Sequence, residues 1–232
     1  MVLAPVAHRL ARLLAPLALA AGLVAPAQAQ DFWGRTCPPV QPGGDLVGIA
    51  LGDSLTNDGL DHDWPNLLDQ LDQVTWLNAG AAGRITEHFL EGVEDPAFGA
   101  SIWDTYLQYA FPVDIAVVYL GVNDRGQGKS LQDYAMSLQL LVTQLKENCL
   151  AHEVWFILPP DFPGVDIDNA SWRGAIKRIG SIARSRTMDL SPHWNHDVHT
   201  GPDMLHNTAE GHFLIYQLVL AHLLDWSGGG EE

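Results

Sequence analysis

The sequence predicts an α/β fold in which helices cover both faces of a parallel β-sheet. Short apolar runs, several rich in β-branched residues, recur along the chain, and most end at Gly, Pro or Asp. Stretches with apolar residues at helical spacing separate them. Runs of that kind read as buried strands, and strands alternating with helices build a parallel sheet. At 232 residues the chain is long enough for one domain with a substantial core. Neither a repeat nor a low-complexity linker divides residues 30–226, which read as a single domain.

The first 29 residues stand apart from that domain. His8, Arg9 and Arg12 give a weakly basic start, Leu13 to Val24 is apolar, and Pro26-Ala27-Gln28-Ala29 supplies a small-x-small cleavage pattern. This is the layout of a secretory signal peptide removed after about Ala29. The apolar stretch is short of the roughly 20 residues a membrane span needs and contains Pro16. The expected location is secreted or periplasmic.

In the domain, Asp31 to Asp45 is a Gly- and Pro-rich lead-in, and Leu46 to Leu51 the first strand. Asp61 to Leu71 carries Trp64, Leu67, Leu68 and Leu71 on one helical face, with Pro65 in the first turn. Val74 to Asn78 is a second strand, Thr86 to Leu90 starts a helix, and Ser101 to Tyr109 has helical spacing. Ile115 to Leu120 is the most strand-like run. Ser130 and Asp133 stand at capping-box spacing before a helix faced by Leu138, Leu141, Val142 and Leu145. Val154 to Leu158 is the fourth strand and Asn169 to Ser185 a basic-faced helix. Thr187 to Leu190 is the last strand, Ala209 to Trp226 the final helix, and 227–232 a flexible tail.

Charge narrows the partners. The signal segment holds two of the 12 basic residues and none of the 28 acidic ones, so the mature chain carries 10 − 28 = −18. Such a field repels nucleic acid and anionic membranes and suits a neutral or cationic small substrate. The chain has two cysteines, Cys37 and Cys149. An exported chain would favour a bridge between them over two free thiols.

Ser54, two residues past the first strand's closing glycine, is either a loop serine capping the next helix or a nucleophile at the carboxyl edge of a sheet, where ligands bind. Acyl transfer needs a nucleophile, a base, a group orienting the base, and donors for the oxyanion. Asp203 and His206, three apart, could be orienter and base, or a surface cap. The Gly80–Gly83 loop could present backbone N–H groups, and Asn123 a side-chain amide, or 121–124 is a plain turn. His193, His196 and His199, with Asp197, could hold zinc or copper. Alternatively they line a loop, since helical geometry is disfavoured between Pro192 and Pro202. Trp64, Trp155 and Trp226 fall on apolar faces, whereas Trp103, Trp172 and Trp194 could stack on a sugar ring.

Four blocks in order carry a resemblance: Gly52-Asp53-Ser54-Leu55, Asn78-Ala79-Gly80-Ala81-Ala82-Gly83, Gly121-Val122-Asn123-Asp124 and Asp203-Met204-Leu205-His206. Together they resemble the SGNH, or GDSL, hydrolase family. The resemblance implies a flavodoxin-like three-layer α/β/α fold with about five parallel strands. It implies Ser54 as nucleophile, His206 as base and Asp203 as its orienter. Gly83, Asn123 and the N–H of Ser54 would form the oxyanion hole. Family members often carry an acid after the second-block glycine, where this chain has Arg84. The Gly-x-Ser-x-Gly elbow of α/β-hydrolases is absent at Ser54.

The expected function is an exported serine esterase using neither metal nor organic cofactor, acting on a small-molecule or carbohydrate ester, short-acyl esters such as acetyl first. The alternatives are a lysophospholipase or lipase-type esterase, and, from another class, a non-catalytic carbohydrate- or metal-binding protein. No nucleic-acid partner and no stable membrane association are expected.

Overall fold

The structure, a computed structural model, describes residues 45–97, 99–105, 107–162 and 169–228. The expected signal peptide, nearly all of the lead-in including Cys37, and 229–232 lie outside the described residues. Seven strands occur among them: β1 (Leu46–Gly52), β2 (Val74–Gly80), β3 (Glu94–Asp95), β4 (Ala100–Ser101), β5 (Val113–Tyr119), β6 (Ala151–Leu158) and β7 (Thr187–Asp189). Five of them form the central sheet in the order β2-β1-β5-β6-β7, every neighbouring pair parallel. β3 and β4 make a small antiparallel hairpin outside it.

The helices are α1 (Trp64–Leu68), α2 (Ile102–Thr105), α3 (Val122–Gly126), α4 (Leu131–Glu147), α5 (Asn169–Ile182), α6 (His196–His199) and α7 (Ala209–Gly228). Alternate residues of β5 feed two cores. Ala116 and Val118 pack with Leu138, Leu141 and Val142 of α4 and Ile176 and Ile179 of α5. Ile115, Val117 and Tyr119 pack with Trp64 and Leu68 of α1 and Ile215 and Val219 of α7. This is the predicted three-layer α/β/α sandwich. All of β5 is buried, as expected of a strand covered on both faces.

The strand order reverses at β1, whose neighbours are β2 and β5. In register, Gly52 stands opposite Gly80 and Tyr119, so the loops leaving the three strands start at one level. A switch point of this kind leaves a crevice at the carboxyl edge. At Gly52 the chain doubles back so tightly that a Cβ would lie 1.9 Å from Thr56 Oγ1.

Several boundaries differ from the sequence reading. The helix expected over Asp61 to Leu71 is only α1: Asp63 stands at its N-cap position with its side chain turned back to accept the Leu60 N–H at 3.3 Å, and Asp69 turns to accept the Trp76 N–H of β2 at 2.7 Å. Thr86–Phe89 is a 3₁₀ turn. The helix expected over Ser101 to Tyr109 is broken into α2 and a 3₁₀ turn, Leu107–Tyr109, and its first residue belongs to β4. The third sheet strand starts at Val113 rather than Ile115, and α7 runs through Ser227 and Gly228, assigned above to the tail. No helix among the described residues is long and apolar enough to cross a membrane.

Candidate active site

Ser54 follows β1 in a turn closed by the Thr56 and Asn57 N–H groups donating to the Asp53 carbonyl, both at 3.0 Å. It caps no helix, since Asp63 holds that place for α1. Its Oγ lies 2.9 Å from His206 Nε2, and His206 Nδ1 lies 2.5 Å from Asp203 Oδ2. The structure thus brings three residues, two of them 152 positions apart, into one hydrogen-bonded line. Asp203 also accepts the N–H groups of Leu205 and His206, and the backbone turns at Met204 with φ 60°.

The bond from His206 holds the Asp203 carboxyl down at about 2, so it is ionised throughout the neutral range. A carboxylate on Nδ1 fixes the proton there and leaves the Nε2 lone pair facing the hydroxyl. That arrangement can take a proton from Ser54 Oγ.

The other two predicted donor positions follow β2 and β5, the strands on either side of β1. Asn123 sits in the first turn of α3, directly beyond β5, and its buried Nδ2 has no hydrogen-bond partner among the described residues. Gly83 is exposed, with φ +76°, a conformation that favours glycine. An unsatisfied buried amide costs free energy unless something completes it.

Two buried carboxyls back the site. Burial pushes Asp53 up to about 7, although the Leu55 and Asn123 N–H groups oppose the rise. Burial also pushes Asp124 up to about 6 against hydrogen bonds from Thr86, whose N–H and hydroxyl both reach it at 3.0 Å. An apolar pocket beyond the carboxyl end of β5 is lined by Leu120, Val122, Pro159, Trp172 and Ile176, with Arg125 at its wall; none of Ser54, Gly83, Asn123 and His206 lines it.

Of the tryptophans considered for sugar stacking, Trp172 alone lines that pocket, stacked on Tyr134 at 4.6 Å. Trp103 is only 5% exposed and stacks on Phe111. Trp194 is half-buried, its Nε1 donating to Thr200 Oγ1 at 3.0 Å. Both serve packing.

The histidine set does not gather. His196 to His199 forms the short helix α6, which the sequence reading disfavoured; Asn195 caps it by accepting the Asp197 N–H. His199 Nδ1 accepts the Asn195 N–H at 2.9 Å, and His196 Nδ1 faces Thr200 Oγ1 at 3.2 Å. Among the described residues the group with ligand atoms close enough for a metal is instead Asp58, Asp63 and His212. There His212 Nδ1 accepts the Trp64 N–H at 3.3 Å. The proton of a neutral imidazole then sits on Nε2, 3.5 Å from Asp63 and 3.7 Å from Asp58. That nitrogen carries the hydrogen, has no hydrogen-bond partner among the described residues, and has no lone pair for a metal.

Supporting residues escaped the sequence reading because each acts across a long sequence gap. Asn207 donates to the Leu55 carbonyl, Asn57 to the Gly80 carbonyl and Gln127 to the Gly83 carbonyl. The hint was position alone, each lying within four residues of a block.

The profile of the GDSL-like lipase/acylhydrolase family matches residues 50–214, enclosing all four blocks. No curated protein sequence matches. Among solved structures, the chain is similar to Axe2, an acetylxylan esterase from Geobacillus stearothermophilus. The TM-score is 0.60 at 17% identity, covering 77% of this chain and 94% of that one. A lipase/acylhydrolase from Enterococcus faecalis gives 0.62 at 18% identity, with coverage of 77% and 95%. The psychrotrophic esterase EstA from Pseudoalteromonas sp., in a structure inhibited by monoethylphosphonate, gives 0.60 at 17% identity, with coverage of 80% and 100%. Four blocks at one sheet edge, the matched profile and the shared fold agree: the chain belongs to the GDSL-like lipase/acylhydrolase family and is a serine esterase of the SGNH type.

Proposed function

We propose that the protein is an exported esterase that removes short acyl groups, acetyl on carbohydrate foremost, through an acyl-serine intermediate on Ser54. The observation that carries the mechanism is the 2.9 Å contact of Ser54 Oγ with His206 Nε2, backed by Asp203. Ser54 Oγ attacks the ester carbonyl carbon while His206 Nε2 takes its proton. Asp203 keeps Nδ1–H aligned and stabilises the imidazolium without accepting the proton. The Ser54 and Gly83 N–H groups and the Asn123 amide receive the oxyanion, and loss of one such donor typically costs about 3–4 kcal/mol. The tetrahedral intermediate collapses as His206 protonates the departing alcohol. Water then attacks the acyl-serine, its proton passing to His206; the intermediate collapses by breaking the bond to Ser54 Oγ, which takes that proton back, and the acid leaves.

The acetyl preference is supported by the acidic surface and by the likeness to an acetylxylan esterase. The likeness to a lipase/acylhydrolase supports a second reading, longer acyl chains as in lipase-type esters. Export is supported by the pattern of residues 1–29 and predicts a mature terminus at Gln30; intact Met1 in secreted protein would overturn it. Cys37 and Cys149 would then be bridged, and reduction would separate their peptides.

Acetate release from acetylated xylooligosaccharides, compared with hydrolysis of p-nitrophenyl esters of two to twelve carbons, tests the substrate. Highest kcat/KM at two carbons together with acetate release supports the acetyl reading. A maximum at eight or more carbons replaces it with the second.

A further inference from the structure

The residue after Gly83 is Arg84, and the structure gives it a specific contact. Arg84 Nη1 donates to the Ala82 carbonyl at 2.8 Å. That carbonyl belongs to the same peptide unit as the Gly83 N–H. In a trans peptide the two point opposite ways, so gripping the oxygen aims the hydrogen. The guanidinium is itself held by Asp95 of β3, whose residue is 1% exposed and whose other oxygen accepts the Ala97 N–H at 2.8 Å. The chain bears a cation on the carbonyl of the peptide whose N–H has no partner among the described residues.

The next peptide unit is held as well. Gln127 Nε2 donates to the Gly83 carbonyl at 2.8 Å, while the Arg84 N–H donates to Ala81 O at 3.2 Å and the Ala81 N–H to Gly52 O at 2.9 Å. Gln127 closes α3, its own N–H donating to the Asn123 carbonyl at 2.9 Å. One side chain thereby links the loop of Gly83 to the turn that carries Asn123. A Cβ at Gly83 would meet no atom within 4 Å, so polar contacts rather than packing hold this residue.

We propose that Arg84 and Gln127 are positioning residues for the oxyanion hole: Arg84 fixes and polarises the Ala82–Gly83 peptide, and Gln127 locks Gly83 to the turn bearing Asn123. The proposal rests on the reading of Gly83 as an oxyanion donor. A cation on a carbonyl strengthens the N–H of the same peptide as a donor. Such a device acts where the oxyanion forms and has little effect on the bound ester, so its loss falls on kcat.

The test measures kcat and KM for p-nitrophenyl acetate in Gln127→Leu, in the Arg84→Met/Asp95→Asn pair and in Ser54→Ala, with melting temperatures for all. The paired substitution leaves no orphaned buried charge at Asp95, and the exposed Gln127 reports even if the pair does not fold. Expected is a fall in kcat of about tenfold for the pair and about threefold to tenfold for Gln127→Leu, with KM within about twofold. Phosphonate inactivation should slow in parallel. Wild-type kcat in the folded variants, with Ser54→Ala inactive, overturns the positioning role alone. A loss confined to melting temperature or KM also overturns it. Full activity in Ser54→Ala overturns this proposal together with the reading beneath it.

Discussion

The Asn207 side-chain amide donates to the Leu55 carbonyl at 2.8 Å across 152 residues, tying the residue after His206 to the residue after Ser54. The bond is buried. Asn207→Leu should lower kcat by about tenfold and the melting temperature by a few degrees, as an orphaned buried carbonyl costs roughly 1–3 kcal/mol. Enzyme kinetics and a thermal melt check both. An unchanged kcat would mean that Ser54 and His206 need no such tie.

Asp203→Asn tests the orienting carboxylate. The variant keeps the size of the side chain but loses the charge that fixes the Nδ1 proton, so kcat should fall by roughly 10³-fold. Because Asp203 is held at about 2, its protonation cannot produce an acid limb near pH 6 in the activity profile. A carboxyl NMR titration of Asp203 with its midpoint near pH 6 would contradict that assignment.

Asp53 makes stability depend on pH in a defined direction. Its folded value is raised to about 7 from 3.8, so the folded state favours the neutral acid and loses stability as pH climbs from about 4 through 7. Asp53→Asn removes that loss. In urea unfolding, the variant should gain on the wild type steadily between pH 4 and 7, with the difference levelling above 7. A difference independent of pH would show that Asp53 titrates normally.

Asp58, Asp63 and His212 invite a metal experiment. With the Trp64 N–H on Nδ1, the imidazole presents Nε2–H to the carboxylates. Zinc should therefore leave the melting temperature unchanged, and chelator should leave activity unchanged. Stoichiometric zinc with a raised melting temperature would show that the ring rotates to offer a lone pair.

The strands were legible because their apolar runs carry their own stops: Gly52 closes β1, and Gly121 lies just past β5. The long helices were legible too, with Ser130 capping α4 as its spacing predicts. Elements held by distant partners were not. The β3–β4 hairpin has two-residue strands and is joined to the Gly83 loop through the Arg84–Asp95 ion pair, which no local pattern encodes. α6 hides between prolines because one Asn cap suffices for a single turn. At the site, block order singled out Ser54, Gly83, Asn123, Asp203 and His206. Asn207 and Gln127 were illegible because their roles depend on where two loops meet.

The central claim is that Ser54 is the nucleophile. Hydrolysis of p-nitrophenyl acetate by wild type and Ser54→Ala, with mass spectrometry after a serine-directed phosphonate, tests it most directly. The account predicts a fall in kcat of roughly 10⁴-fold or more and a single phosphonate adduct, on Ser54, absent from the variant. Equal rates in the two proteins, or an adduct on another residue, would contradict it.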